Sequence, residues 1–183
     1  QEDADATLKA IPELLKLLND DDKMVVSKTL KLIDQLSRKD ASRLALATSH
    51  SLINNLLNLV LNTQELDFHN SVSSIFNQMS SNKQALFVLF KSGGIPALIR
   101  LLSSPVESIV YQALSTLHNL LMYEPSAKAQ IHHYNGTRKM IELLSLYQNP
   151  KFLALVLDSL HILAFNNSEV KLVIQTSGGP REL

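Results

Sequence analysis

The sequence predicts an all-α solenoid, in which short helices stack in repeated units. The first observation is a recurrence of leucines about every 42 residues along the 183-residue chain. The second is that apolar residues inside each period follow helical spacing, as Ile11, Leu14, Leu15 and Leu18 do. The third is that the few breakers, five Gly and six Pro, recur at similar places in the period.

Several registers carry the repeat. The 42-residue steps are Leu17, Leu59, Leu101 and Leu143; Leu14, Leu56, Leu98 and Met140; and Leu18, Val60, Leu102 and Leu144. A further register with steps of 41 to 43 residues is Leu36, Met79, Leu120 and Leu163. Because no single unit can bury its apolar face alone, the units must stack.

A helical repeat of this length is typical of armadillo or HEAT solenoids. We expect each unit to hold a short helix, a second helix and a longer third helix. We expect one helix of each unit to start at Ile95 or at the equivalent position of the other units. Gly-Gly or Asn-Gly precedes this helix in the later units, and Pro12 and Pro96 would fall in its first turn. The predicted units are 7–49, 50–91, 92–134 and 135–176, with the start of a fifth at 177–183.

Charge and composition argue against several functions. Lys+Arg and Asp+Glu both number 17, whereas nucleic-acid binders usually have a basic excess. There is no cysteine, and the sequence shows neither a signal peptide nor a membrane span. His132-His133 is the only close histidine pair and has no ligand partner in sequence. We therefore expect no enzyme, no cofactor, no metal site, no direct nucleic-acid binding and no membrane insertion.

Long strings of the chain resemble the β-catenin and plakoglobin family. They are AIPELLKLLNDDD (10–22), QLSRKDASR (35–43), FKSGGIPALIRLLSSPVESIVYQALSTLHNLL (90–121) and KFLALVLDSLHILAFNNSEVKLVIQTSGGP (151–180). The segments 50–89 and 129–150 diverge more, and the family's usual cysteines are missing. The resemblance implies an armadillo-repeat right-handed superhelix whose long helices line a positively charged groove.

The resemblance also implies partners and a place of action. Groove ligands of the family are cadherin cytoplasmic tails, T-cell-factor-type transcription factors, and adenomatous-polyposis-coli and axin-like proteins. The α-catenin site of the family lies mostly before Gln1. A scaffold in cell adhesion, in Wnt signalling, or in both is therefore expected, in the cytoplasm, at cell junctions and in the nucleus. The alternative is an armadillo or HEAT adaptor with unrelated peptide partners.

Three groove residues fall in the third unit. By resemblance, Tyr111 and His118 contact ligand side chains, and Asn119 binds the backbone of an extended peptide. Tyr111 and His118 are seven residues apart and share a helix face. Positions equivalent to Asn119 are Gln35, Gln78 and Ile162, so no regular asparagine ladder exists. The alternatives are that Tyr111 packs on the neighbouring unit and that Asn119 caps a neighbour.

Five more groove residues fall in the fourth unit. They are Lys151, Asp158, Phe165, Asn166 and Lys171. By resemblance, Lys171 pairs with a ligand carboxylate and Lys151 is a second groove lysine. Phe165 stands where the family has Tyr, and Asn166 where it has Gly. The alternative is that both lysines are solvated surface charges, as most lysines are.

The first unit combines leucines with acids and suits a basic amphipathic helix. The family docks a helical transcription coactivator there. The residues that match are Glu13, Leu14, Leu17, Asp20, Asp22 and Leu36. Residues 1–25 hold seven acids and three lysines, a net charge of −4. The alternative is that Leu14 belongs to the core register and that the acidic turn is merely solvated.

Overall fold

A computed structural model describes residues 1–179, which form helices and no strands. The helices are α1 (Glu2–Leu18), α2 (Lys23–Ser37), α3 (Asp40–Ala47), α4 (His50–Leu61), α5 (Leu66–Met79), α6 (Lys83–Lys91), α7 (Gly94–Leu101), α8 (Glu107–Tyr123), α9 (Ala127–His133), α10 (Gly136–Leu146), α11 (Pro150–Ala164) and α12 (Ser168–Thr176). The all-α prediction is confirmed.

Helices α2, α5, α8 and α11 pack mainly against their counterparts one period along the chain, whereas α1 packs mainly on α3 and α10 on α11. The long helices α2, α5, α8 and α11 contact one another in that order, and α1, α4 and α7 form a second row. A third row begins with α3 against α6. This neighbour-to-neighbour packing is the pattern expected for a solenoid.

The unit boundaries predicted after residues 49, 91 and 134 fall between helices, but the predicted helix order inside the units is wrong. In 92–134, for example, the 17-residue α8 lies in the middle, between α7 of 8 residues and α9 of 7 residues. The long helix comes last when the units are counted instead as α3–α5, α6–α8 and α9–α11. The expected fifth unit reaches beyond the described residues.

The leading apolar register forms the core. Leu14, Leu56, Leu98 and Met140 are at most 3% exposed. Leu17 and Leu59, by contrast, are only partly buried, although Leu101 and Leu143 of the same register are buried. Side chains at adjacent helix positions point about 100° apart. Leu18 and Val60 can therefore be buried while Leu17 and Leu59, which precede them, stay partly exposed.

Helix α1 begins earlier than the apolar pattern predicts. Pro12 lies inside it rather than in its first turn, whereas Pro96 does fall in the first turn of α7. Acidic residues in the first turn of α1 stabilise this early start, because their negative charges interact favourably with the positive end of the helix dipole. Buried Thr7 then ties α1 to α3 through a 2.9 Å hydrogen bond between its Oγ1 and Oγ of Ser42.

Within residues 1–179 no single helix is long and apolar enough to cross a membrane. Two helix pairs reach that length only together, α3 with α4 and α6 with α7, and they are bent by 87° and 94°.

Candidate functional site

Helices α8 and α11 bring four of the eight predicted groove residues to one surface. Tyr111 and His118 on α8 are seven residues apart, as are Lys151 and Asp158 on α11, so each pair lies on one helix face. The two helices pack against each other, which places these faces side by side. These four residues therefore share one contiguous surface of the two long helices.

Tyr111 and Lys151 line a common open cleft of about 660 Å³, together with Glu107, Ser108 and Asn149. Tyr111 is 39% exposed. The cleft offers an aromatic surface flanked by one positive and one negative side chain. Such a site can take an apolar side chain beside a charged one.

An aromatic cluster supports this cleft from below. The Tyr111 ring lies 6.0 Å from the ring of buried Phe152, and Phe152 lies 4.3 Å from Tyr147. Burial raises the pKa of Tyr147, and the negative charge of Glu107 raises it further. Packing of Tyr111 against the next repeat, the alternative for this residue, therefore coexists with an exposed ring edge.

His118 and Asp158 contact each other across the α8–α11 interface. The ring nitrogen Nε2 of His118 is in hydrogen-bond contact with a carboxylate oxygen of Asp158. The His118 side chain is 19% exposed and that of Asp158 is 55% exposed. Both side chains are engaged with each other, and a ligand here would meet them as a pair.

Asn119 is half-buried at the interface between α8 and α5. Its Nδ2 donates a 2.8 Å hydrogen bond to Oγ of Ser80. Two turns earlier on both helices, Oγ of Ser73 lies 2.7 Å from Oε1 of Gln112. Serines in and just after α5 and amides of α8 therefore form a polar seam between the two helices.

The remaining predicted groove residues lie at and after the end of α11. Phe165 is 62% exposed, and Nζ of Lys128 on α9 lies 5.8 Å from the centre of its ring. Asn166 has a φ of 52°, a left-handed conformation that asparagine adopts more readily than most residues. Its conformation explains why a position that holds Gly in the family can hold Asn here. Lys171 lies exposed on α12.

The four long helices together have no excess of positive charge. The four long helices carry four lysines and four acids: Lys23, Lys28, Lys31 and Lys151, and Asp34, Asp67, Glu107 and Asp158. Three of the lysines lie on α2, so the positive charge is concentrated at one end of the row. The charge near α8 and α11 therefore comes from a few individual side chains.

The first-unit docking residues divide into two groups. Leu14 is 3% exposed because its side chain packs in the hydrophobic core. Its predicted contact with a partner is therefore wrong. The other five are exposed or half-buried: Glu13, Leu17, Asp20, Asp22 and Leu36. Asp22 caps α2 by accepting from the Met24 N–H at 2.9 Å, and Asp20 accepts from the Asp22 N–H at 2.8 Å. The acidic turn therefore also has a structural role.

Other titratable groups do not converge on a site. In residues 1–179 no three His, Cys, Asp or Glu side chains lie close enough to hold a metal ion. The neighbours His132 and His133 point to different partners. Nδ1 of His132 lies 3.3 Å from Oγ1 of Thr137, and the ring of His133 packs edge-on against Tyr134 at 5.1 Å.

Sequence reasoning missed several residues around the groove. Ser80, Lys128 and Phe152 contact Asn119, Phe165 and Tyr111 respectively, which are distant in the chain, and no local pattern indicates these contacts. The cleft residues Glu107 and Asn149 are 42 residues apart, so extending the repeat register to polar positions would have found them.

Comparisons with known proteins agree with this architecture. The Armadillo/beta-catenin-like repeat family matches residues 81–122, which include α6, α7 and most of α8 in the short-to-long order. Junction plakoglobin of Homo sapiens is 47% identical over 183 residues, which cover 100% of this chain and 24% of that protein. Catenin beta of Urechis caupo is 46% identical over 183 residues, 22% of its own length.

A solved structure is similar in three dimensions. It concerns a phosphorylation switch that controls the interaction between cadherin and beta-catenin. The TM-score is 0.84 at 30% sequence identity, covering 92% of this chain and 32% of that chain. This chain thus spans about a quarter of the length of the plakoglobins that it matches, at 24% for the human protein.

Proposed function

Because this chain belongs to the β-catenin and plakoglobin family of armadillo-repeat proteins, we propose that it is a protein-interaction scaffold whose long-helix groove binds the cytoplasmic tail of a cadherin. The observation that carries the proposal is the contiguous surface of Tyr111, His118, Lys151 and Asp158 on two packed helices. The proposal is of a binding protein and not of an enzyme. Its place of action would be the cytoplasm and cell junctions.

An extended acidic peptide fits this surface chemically. One of its apolar side chains would rest on the exposed part of Tyr111, and another on Phe165. A carboxylate or phosphate would pair with Lys151, and a second acid with Lys171. Asn119 would hydrogen-bond the peptide backbone. Each ion pair gains strength as the ligand excludes water from it.

The same groove would serve the other expected partners. T-cell-factor-type transcription factors and adenomatous-polyposis-coli and axin-like proteins would compete with the cadherin tail there, and the first of these would add a nuclear role. A helical coactivator would use the first unit through Glu13, Leu17, Asp20, Asp22 and Leu36. That surface pairs a half-buried leucine strip with an acidic rim and suits a basic amphipathic helix.

Calorimetric titration of the chain with a recombinant cadherin cytoplasmic tail tests the proposal. Lys151→Glu should weaken binding by about tenfold or more, because an attraction becomes a repulsion. Lys9→Glu, at an exposed lysine of α1 away from the long-helix row, is the matched control and should leave the affinity within about twofold.

Two results would contradict the proposal. Equal losses from Lys151→Glu and Lys9→Glu would indicate nonspecific attraction to the chain as a whole. No binding of the cadherin tail would remove cadherin as a partner. Parallel titration with a T-cell-factor peptide then separates a transcriptional family member from an adaptor with unrelated partners.

A further inference from the structure

Ser80 occupies a defined position beneath the groove. It is the residue that follows α5, and it is only 3% exposed. Its Oγ lies 2.6 Å from the carbonyl oxygen of Asn77 and 2.8 Å from Nδ2 of Asn119. A buried hydroxyl is thus in contact with one carbonyl of its own helix and with one amide of the neighbouring long helix.

These two contacts determine how the Asn119 amide is turned. A hydroxyl has a single hydrogen, and a carbonyl oxygen can only accept. The Ser80 hydrogen is therefore donated to Asn77, and the Oγ lone pairs face Asn119. The NH₂ group of Asn119 can donate to them, whereas its carbonyl oxygen would be repelled. The hydrogen-bond network thus fixes an amide orientation that side-chain shape alone leaves ambiguous.

We propose that Ser80 is a positioning residue for ligand binding, acting through Asn119. With its NH₂ turned towards Ser80, half-buried Asn119 presents Oδ1 as an acceptor for a backbone N–H of an extended peptide. This inference rests on the proposed groove function. It adds that Asn119 accepts a hydrogen bond from the ligand backbone. The ligand segment must offer a free backbone N–H at this point.

The same helices provide a matched comparison two turns earlier. Ser73 is fully buried, and its Oγ lies 2.9 Å from the Asn70 carbonyl oxygen and 2.7 Å from Oε1 of Gln112. One hydrogen cannot fully serve two acceptors, so a half-turn of the Gln112 amide would reproduce the Ser80 arrangement. Ser73→Ala removes an equivalent hydroxyl from the same seam without touching Asn119.

The experiment combines binding with a readout of the amide itself. The cadherin tail is titrated into the chain and into Ser80→Ala, Ser73→Ala, Asn119→Ala and the double variant Ser80→Ala with Asn119→Ala. Ser80→Ala should weaken binding by about threefold to tenfold, the range of one lost hydrogen bond. Ser73→Ala should stay within about twofold. In the Asn119→Ala background, Ser80→Ala should cause no further loss.

Side-chain amide resonances give the second measurement. In the ligand-free chain, Ser80→Ala should shift the Asn119 NH₂ resonances, and Ser73→Ala should not. An unshifted Asn119 signal would overturn the orientation. A loss of affinity that persists in the Asn119→Ala background would show that Ser80 acts on the fold and not through Asn119. If the unsubstituted chain bound no tail, the proposed function would fail and the ligand role of Ser80 with it, while the resonances would still report the amide orientation.

Discussion

Gly94 is a residue at which the packing of α7 against α6 should be sensitive to one added carbon. It begins α7 and is buried against the end of α6. A Cβ at this position would lie 2.8 Å from the carbonyl oxygen of Leu89 and 2.9 Å from its Cγ and Cδ1. The carbonyl belongs to the backbone of α6 and cannot rotate away as a side chain can. Gly94→Ala should therefore force α6 and α7 apart.

The expected loss follows from two opposing effects. Overpacking costs about 1–3 kcal/mol, and replacing Gly by Ala in a helix returns about 0.5–1 kcal/mol. Because the clash is with backbone, overpacking should cost about 2–3 kcal/mol, the upper part of its range. The net effect is then a destabilisation of about 1–2.5 kcal/mol, which for a chain of this size lowers Tm by about 2–10 °C. Urea unfolding followed by circular dichroism, and scanning calorimetry, would measure it.

The preceding glycine supplies the control. Gly93 has a φ of 82°, and a Cβ added there would meet no heavy atom within 4 Å, so conformation and not space makes Gly suitable. Asn135, 42 residues later, has a φ of 64° at the equivalent turn. Gly93→Asn should thus cost about 1 kcal/mol or less. The reasoning would be refuted if Gly94→Ala left the unfolding midpoint unchanged, or if Gly93→Asn were the more damaging variant.

Three further outcomes are expected. Leu14→Asp should unfold the first repeat, since an unpaired charge in the core costs several kcal/mol. Leu17→Asp should destabilise the fold less, because Leu17 is only partly buried, and should mainly reduce binding of the coactivator helix. Equal losses of melting temperature in the two variants would contradict this difference. The pKa of Tyr147 is raised above 10.0, so the stability that this residue contributes is present below that pH and is lost as the pH rises through the folded-state pKa. Tyr147→Phe should therefore flatten the fall of the unfolding free energy above about pH 10. An unchanged slope would argue against the raised pKa. Lys171→Glu should weaken binding of acidic groove ligands by about 2–5 kcal/mol if the pair is desolvated, and unchanged affinity for both cadherin-tail and T-cell-factor peptides would remove Lys171 from the site.

The repeat itself could be predicted from sequence, but its division into helices could not be predicted completely. The apolar register placed Leu56, Leu98 and Met140 in the core, where they are fully buried. The start of α1 was missed because residues 2–10 are mostly polar, and their helix is stabilised by packing on α3 rather than by an apolar stripe.

Groove positions were predicted by resemblance, and their environments came only from the fold. Resemblance indicated Asp158 and His118 as separate groove residues, but only the packing of α8 on α11 makes them a pair. It also implied a positive groove, whereas α5, α8 and α11 carry as a group more acids than lysines. The net charge of this surface is the sum over helices from several units, so the sequence of one unit does not reveal it.

The order and type of residues along the whole chain are enough to specify the repeat period, most of the core register and the neutral overall charge. Which polar groups face each other across units depends instead on the folded stack. The contacts of Asn119 with Ser80 and of Lys128 with Phe165 join residues about one period apart. Such contacts arise when one unit stacks on the next, and the geometry of stacking is set by the whole buried interface rather than by either residue.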